Sequence, residues 1–127
     1  MTKILLAYND TEASNRALDR AAQLASFYEA GLVVTSVTPV AIGSPPDMTP
    51  GEELRRADAL LRERGLEPEL VEAVGDIAQA IVEAADRYGA GLIVIGTRAP
   101  SQVERMLGHS VSEQVQRMAS CDVLIVH

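Results

Sequence analysis

The sequence contains one cysteine, few aromatic residues and no long hydrophobic run. Its single cysteine, Cys121, has no partner for an internal disulfide, and we expect it to be a small buried residue at the start of a strand. Tryptophan is absent, and aromatic residues make up only 3% of a chain that is 47% hydrophobic, so the predicted core is aliphatic. No apolar run approaches the roughly 18 residues of a membrane span, and no signal-peptide pattern is present. We therefore expect a cytoplasmic protein with no membrane partner.

Positive charge is also scarce. The net charge is −7, and Lys3 is the only lysine beside ten arginines. A surface that binds a nucleic-acid backbone is usually basic, so nucleic acid is not an expected partner. The two histidines, His109 and the terminal His127, belong to no pattern of catalytic or metal-binding residues. We therefore predict neither a metal site nor an independent enzyme.

What the sequence does contain is a regular alternation of short apolar runs and amphipathic segments. Continuous apolar runs are typical of parallel strands covered on both faces, and spacings of three and four residues are typical of helices. The pattern predicts one domain over residues 1–127, with an α/β fold whose five-stranded parallel sheet is doubly wound by helices. The predicted strands are Ile4–Ala7, Leu32–Val37, Pro68–Val74, Leu92–Ile95 and Asp122–Val126.

Capping and stop signals place the first two helices between these strands. Asp10 or Thr11 is the predicted cap of the first helix, and Gly31 is its predicted end. The stretch from Thr38 to Gly51 is rich in proline and glycine and is predicted to be a loop. The charged segment Glu52–Arg64 after it is predicted to be a helix with a solvated face and i,i+4 ion pairs.

Two further helices carry a capping-box pattern, in which the cap and a residue three positions later bond each other. Asp76 with Gln79 predicts one such start, and Gly89 is the predicted end of that helix. Ser110 with Glu113 predicts the other start. Each of these residues therefore has a structural role that requires no ligand.

The strongest candidate for a binding site is the stretch from Gly91 to Val115. Its apolar run ends at Gly96, and a polar loop leads to the helix that Ser110 opens. Ligands of open α/β sheets bind where a central strand delivers the chain into its next loop, and a helix N-terminus favours phosphate. A phosphoacceptor receiver domain is excluded, because it needs a lysine after the last strand. An FMN site is not expected either, because the carboxylates of Asp10 and Glu12 would repel its phosphate.

Five stretches of the sequence occur in an order and spacing that are specific for one family. They are Lys3–Ser14, Gly75–Ala78, Gly91–Arg98, Leu107–Glu113 and Ser120–Val126. In this arrangement the chain resembles a universal stress protein domain over essentially its whole length. The resemblance implies a flavodoxin-like sheet, similar to that of the adenine-nucleotide α hydrolases, with strand order 3-2-1-4-5. It also implies a homodimer formed along the last strand.

ATP-binding members of that family carry the motif G-x2-G-x9-G-(S/T) between the fourth strand and the fourth helix. By the resemblance, its positions and the valine that follows fall on Gly96, Ala99, His109, Ser110 and Val111. Ala99 and His109 then replace the second and third glycines. Alternatively, Gly108 is the third glycine, the spacer is one residue short and His109 is an insertion. In both alignments the motif departs from that of the ATP-binding members.

The resemblance also implies where a nucleoside would bind. ATP-binding members carry an aspartate at the end of the first strand, where this chain has Asn9, which can donate and accept hydrogen bonds but carries no charge. By the same alignment, Ala7 and Val37 would flank an adenine. Arg98 and His109 are candidates for neutralising phosphate.

Two functional hypotheses follow from these departures. In one, ATP or AMP binds between the strand ends at Asn9 and Val37 and the loop from Gly96 to Ser110. In the other, which we favour, the chain is a stress-response module that binds nucleotide weakly or not at all. It then acts as a homodimer through contacts with an unidentified protein partner.

Overall fold

The computed structural model describes residues 2–38, 50–97 and 110–127. Within these ranges, five strands form one parallel sheet in the order β3-β2-β1-β4-β5, flanked by four helices. The strands are β1 (Lys3–Ala7), β2 (Gly31–Thr38), β3 (Glu69–Val74), β4 (Leu92–Gly96) and β5 (Asp122–Val126). The helices are α1 (Glu12–Tyr28), α2 (Pro50–Arg62), α3 (Ile77–Tyr88) and α4 (Val111–Met118). The predicted doubly wound α/β fold and its strand order are confirmed.

The centre of the sheet is its most deeply buried part. Leu5 pairs with Ile93 and Leu6 with Val94 across β1 and β4, and all four side chains are inaccessible to solvent. Helices cover both faces of a parallel sheet, which is why these strands are apolar without alternation. Burial of each such side chain contributes about 1.5–3 kcal/mol, so this pair of strands anchors the fold.

Successive residues of β1 belong to two different cores. Ile4, Leu6 and Tyr8 pack with residues of α1 and α2, whereas Leu5 and Ala7 pack with residues of α3 and α4. This alternation follows from strand geometry, in which neighbouring side chains point to opposite faces. The last residues of the strand therefore deliver side chains into two separate environments.

The first helix begins as predicted and ends earlier than predicted. Thr11 is its N-cap, and its side chain and that of Ser14 bond each other's backbone N–H groups in a capping box. At the other end, Glu29 adopts a left-handed conformation with φ of 52°, and its N–H donates to Ala25 O and Ser26 O. Gly31 was wrongly predicted to end the helix, because Glu29 already closes it and Gly31 is the first residue of β2.

The second helix starts before the predicted position. The predicted loop from Thr38 to Gly51 was too long at both ends, since Thr38 belongs to β2 and α2 starts at Pro50. Proline is well suited to the first turn of a helix, where its missing N–H has no intrahelical partner in any case. The residues between, 39–49, lie outside the described part of the chain. The predicted i,i+4 pairing is present between Asp58 and Arg62, at 2.9 Å.

The third helix confirms its predicted cap but not the full capping box. The Gln79 N–H donates to Asp76 Oδ2 at 3.0 Å, so Asp76 is the N-cap. The Gln79 side chain does not complete the box, because its Nε2 donates instead to Glu83 Oε1 at 3.1 Å. Gly89 ends the helix with φ of 69°, as predicted.

The two edges of the sheet differ in character. From Leu70 onward, the outer strand β3 alternates between exposed and half-buried residues, and it leaves Val74 72% exposed. At the other edge, the apolar residues of β5 are half-buried. Cys121, just before β5, is half-buried rather than buried as predicted, because it lies at this edge. Burial and the carboxylates of Asp86 and Asp122 raise the pKa of its thiol, so it remains protonated at neutral pH.

Candidate functional site

A cavity opens at the carboxyl ends of the strands, beside α3 and α4. It encloses about 230 Å³ and is bordered by the ends of β1, β2 and β4 and by the N-terminal turns of three helices. The described residues that line it are Ala7, Tyr8, Asn9, Thr11, Ala13, Ser14, Thr35, Val37, Ile77, Ile81, Ile95, Gly96, Thr97, Ser110, Val111 and Ser112. This is the edge of a parallel sheet at which ligands of open α/β folds bind.

One wall of the cavity is apolar. Ala7 and Ile95 are paired on β1 and β4, and both are buried. Val37 extends the wall along β2, while Ile77 and Ile81 close it from α3. A flat apolar ring placed here would contact hydrocarbon from three strands and a helix.

The turn between β1 and α1 forms a polar side of the cavity. The Thr11 hydroxyl lies 2.8 Å from Asn9 Oδ1 and 3.2 Å from Ser14 Oγ. The Thr11 N–H donates to Ser14 Oγ at 2.9 Å, and the Asn9 N–H approaches the same oxygen at 3.4 Å. The side-chain oxygen of Asn9 therefore bonds within the turn, and the side-chain N–H groups of Asn9 are offered to a ligand.

A row of hydroxyl groups forms the opposite rim. Ser110 caps α4, since the Glu113 N–H donates to its Oγ at 3.3 Å. Ser110 Oγ is 3.1 Å from Ser112 Oγ, which is in turn 3.4 Å from Thr97 Oγ1. These hydroxyls can donate to an anion, and the N-terminus of α4 adds a partial positive charge.

No described lining residue carries a charged side chain. Tyr8 is the one ionisable member of the described lining, and burial followed by the Asp10 carboxylate raises the pKa of its phenol well above its usual value. It is therefore neutral at physiological pH. Within residues 2–38, 50–97 and 110–127, no group of three or more His, Cys, Asp or Glu side chains could hold a metal ion. The described part of the cavity is thus suited to hydrogen bonding and apolar contact.

Gly96 is required by packing. A Cβ at this position would overlap the backbone carbonyl of Ala13 and come within 2.9 Å of Ser14 N. The end of β4 therefore touches the first turn of α1 directly, at the edge of the cavity. This close approach is a reason for glycine here that involves no ligand, and Gly96 has no positive φ that would suggest a strained turn.

The sequence-predicted site residues that the structure describes all lie together. They are Ala7, Asn9, Val37, Gly96, Ser110 and Val111, and each one lines the cavity. The other nominated residues, Arg98, Ala99, Gly108 and His109, lie outside the described residues. Thr97 and Ser110, which bracket that segment in the sequence, both line the cavity.

Sequence reasoning missed several wall residues. Strand alternation carries a signal for one of them, because Thr35 lies two residues before Val37 on the same strand. The contributions of Ile77 and Ile81 carried no comparable signal. Their helical spacing predicts a buried stripe, and only the packing of α3 against the sheet decides that part of the stripe faces a cavity.

The chain matches a known family along its whole length. A model of the universal stress protein family matches residues 1–127. The chain is 31% identical to the universal stress protein YxiE of Bacillus subtilis (strain 168), with 98% of this chain and 97% of that relative covered. It is 30% identical to a universal stress protein of Methanocaldococcus jannaschii, with 98% of this chain and 81% of that relative covered.

Solved structures of similar proteins share the fold. A universal stress protein in complex with cAMP is 28% identical, with a TM-score of 0.80 and coverage of 99% of this chain and 97% of that one. The universal stress protein of Archaeoglobus fulgidus in complex with dAMP is 26% identical, with a TM-score of 0.78 and coverage of 100% and 98%. Fold, sequence and the whole-length match to the family model agree. The chain belongs to the universal stress protein family.

Proposed function

We propose that this universal stress protein binds an adenine nucleoside phosphate in the cavity, that it binds ATP weakly, and that it acts as a stress-response module. One observation carries the proposal: the six nominated residues within the described ranges all line a single cavity. Similar proteins form complexes with cAMP and dAMP, which supports an adenine nucleoside as the ligand.

The chemistry of the lining is suited to such a ligand. The apolar wall beside Ala7 and Val37 suits the faces of an adenine ring, and the Asn9 amide can bond a nucleoside. The hydroxyl row of Ser110 and Ser112 and the N-terminus of α4 can accommodate phosphate oxygens. Since no described lining side chain is positively charged, a monophosphate fits this lining better than a triphosphate does.

The sequence of the phosphate loop gives a second reason for weak ATP binding. A Cβ costs roughly 1 kcal/mol or more where a glycine position needs a positive φ, and Ala99 adds one. By one of the two alignments, His109 takes the third glycine position, where a side chain of its size would be a steric obstacle to phosphate. Together the two replacements weaken ATP by about 2–3 kcal/mol, which is about 30- to 150-fold.

Titration calorimetry tests this proposal. At pH 8 we expect ATP to bind more weakly than about 100 µM, and the double variant Ala99→Gly/His109→Gly to bind it more tightly. Residual binding by the wild type should strengthen toward pH 6, because protonated His109 then attracts phosphate. Tight ATP binding by the unmodified chain at pH 8 would contradict the proposed weak affinity. Unchanged weak binding by the double variant would point to Asn9 or the length of the spacer as the main defect.

A matched pair of variants locates the ligand. Val37→Phe places a large ring in the cavity and should abolish binding of AMP or cAMP. Val74→Phe makes the same change at the end of the neighbouring strand, where the residue is 72% exposed, and should leave binding unchanged. Mass spectrometry of the purified protein should also reveal any nucleotide that it carries. Equal affinities for the two variants would place the ligand outside the cavity.

A second candidate function rests on the edge strand β5. Its apolar residues Val123–Val126 are only half-buried, and β4 is its one partner strand in the described part of the sheet. Such an edge invites pairing with another chain, so we propose a homodimer formed along β5 through which the protein makes its contacts. Sedimentation at tens of micromolar should give a dimer, and a monomer would rule this out. Leu124→Glu should dissociate it, whereas Leu70→Glu on the opposite edge should not.

A further inference from the structure

Four polar side chains meet beside the polar turn of the cavity, and Tyr8 alone among them is part of its described lining. They come from the end of β1, the turn after it, and helices α1 and α2: Tyr8, Asp10, Asn15 and Arg56. Two nitrogen donors and the Tyr8 hydroxyl surround one oxygen, Asp10 Oδ1, and the single hydroxyl proton is shared with Asn15 Oδ1, which is 2.7 Å from the Tyr8 oxygen. The Tyr8 hydroxyl and Arg56 Nε are each 3.0 Å from Asp10 Oδ1, and Asn15 Nδ2 is 3.4 Å from it. We call these four residues the turn anchor.

The turn anchor holds a backbone conformation that most residues avoid. Asp10 has a backbone φ of 54°, in the left-handed region that residues other than Gly, Asn and Asp rarely adopt. Its side chain is mostly buried, with 19% of its surface exposed. A residue held in this way fixes the path of the chain on both sides of it.

The residues on both sides of Asp10 belong to the cavity. Asn9 and Thr11 line it, whereas Asp10 and Arg56 are not among its described lining residues. Two sets of hydrogen bonds shape this wall: the Thr11 hydroxyl donates to Asn9, and Thr11 and Ser14 bond each other. All of these residues lie close to Asp10 in the sequence. A shift of Asp10 would therefore move the polar side of the cavity.

We propose that Asp10 and Arg56 are positioning residues for ligand binding: they hold the turn so that Asn9 and Thr11 face the ligand. Arg56 lies on α2, so the ion pair also links the position of that helix to the shape of the cavity. This inference rests on the proposed nucleotide site and adds two residues outside the described lining of the cavity.

The chain offers a closely matched control for Arg56. Arg62 lies on the same helix, its side chain is also 55% exposed, and its Nε also contacts an aspartate oxygen, Asp58 Oδ1, at 2.9 Å. Asp58 and Arg62 are four residues apart on one helix, so their pair does not reach the turn. The arginine of each pair is more than half exposed, so solvent screens both pairs, and Arg56→Ala and Arg62→Ala should unfold at similar denaturant concentrations.

The experiment combines affinity with hydrogen exchange of single amides. Arg56→Ala should bind AMP or cAMP about fivefold more weakly than wild type, and Arg62→Ala should bind as wild type does. Without ligand, exchange of the Thr11 N–H, which donates to Ser14 Oγ at 2.9 Å, should be about fivefold faster in Arg56→Ala alone. Asp10→Asn keeps an oxygen at the centre of the anchor and tolerates positive φ, so it should retain more affinity than Asp10→Ala.

The outcomes separate this inference from the proposed function. If the wild type binds no nucleotide, the proposed function fails, and exchange at Thr11 still decides whether the anchor orders the turn. Unchanged exchange in Arg56→Ala overturns the inference whatever the affinity. Faster exchange with unchanged affinity, in a protein that does bind nucleotide, shows that the order of the turn does not matter to the ligand and also overturns it.

Discussion

The two sides of the sheet at the end of β1 use neighbouring residues in opposite ways. Both residues line the cavity, but Ala7 packs a small side chain towards α3 and α4, whereas Tyr8 packs a large one with α1 and α2. The described lining of the cavity side carries no charge, while the other side holds Asp10, Arg56 and Glu53. The cavity at this edge is therefore bordered by small and uncharged side chains, and charged ones lie on the other side of the sheet.

Polar groups on both sides are satisfied, but by different partners. On the cavity side, Thr35 is fully buried and its hydroxyl donates to the Val71 carbonyl at 3.0 Å. On the other side, the next residue, Ser36, is equally buried and its hydroxyl donates to the Glu53 carboxylate. No buried side-chain nitrogen or oxygen lacks a partner among the described residues. An uncharged group thus satisfies Thr35 on the cavity side, and a carboxylate satisfies Ser36 on the other side, which we call the supporting side.

The largest expected effect comes from Gly96 at the end of β4, which lines the cavity and also touches the first turn of α1. Gly96→Ala forces a Cβ into the backbone of α1, so we expect the free energy of unfolding to fall by about 2–3 kcal/mol. Gly31→Ala is the control, because its Cβ would meet only Lys3 Cγ at 3.6 Å and Thr2 O at 3.7 Å. It should remain within about 1 kcal/mol of wild type, in the stabilising direction. Equal losses in urea unfolding would show that β4 does not touch α1 so closely.

A smaller effect is expected at the cap of α3, the helix that closes the apolar wall. Asp76→Ala removes the acceptor for the Gln79 N–H and should lower the free energy of unfolding by about 1 kcal/mol. Because Asp76 does not line the cavity, nucleotide affinity and oligomeric state should not change. Thermal unfolding and calorimetry on the same samples measure both. A collapse of binding with stability intact would assign Asp76 to the ligand site.

The smallest effect concerns the charge of Glu53 on the supporting side. Burial raises the pKa of its carboxyl and the Asp10 carboxylate adds to this, while the Ser36 hydroxyl opposes them. The folded state therefore binds the proton more tightly than the unfolded state does, so this contribution to stability is complete at low pH and is lost as pH rises through the raised pKa. Glu53→Gln should then be slightly more stable than wild type at pH 7, by less than about 1 kcal/mol, because the group is only partly buried.

The pH dependence of this difference is the test. Urea unfolding from pH 7 to pH 4.5 should show the advantage of Glu53→Gln shrinking as the wild-type carboxyl takes up its proton. The exposed Glu63, just past the end of the same helix, provides the control variant Glu63→Gln, whose difference from wild type should change less with pH. An advantage that grows on acidification would mean that the Ser36 hydrogen bond outweighs burial.

Much of the fold could be predicted from local patterns, because the relevant forces act between residues close in sequence. Asp76 and Ser110 were recognised as caps, and Thr11 as one of two candidates, because an N-cap bonds an N–H two or three residues later. The errors have a similar local cause. Glu29 ends α1 in a left-handed conformation that glycine usually adopts. The Gln79 side chain donates a hydrogen bond to Glu83 rather than to the backbone of the N-cap Asp76.

The sequence pattern by itself determined the five strands. The resemblance to the family supplied their order and indicated six described residues that lie at one edge of the sheet. Only the tertiary structure decided that Ile77 and Ile81 border a cavity, that Gly96 is needed for contact with α1, and that Arg56 reaches the turn after β1. Arg56 and Asp10 are 46 residues apart, and an arginine on a charged helix face predicts solvent exposure. Such contacts depend on how α2 packs across the sheet, and the sum of many burial contacts sets that packing rather than any local pattern of residues.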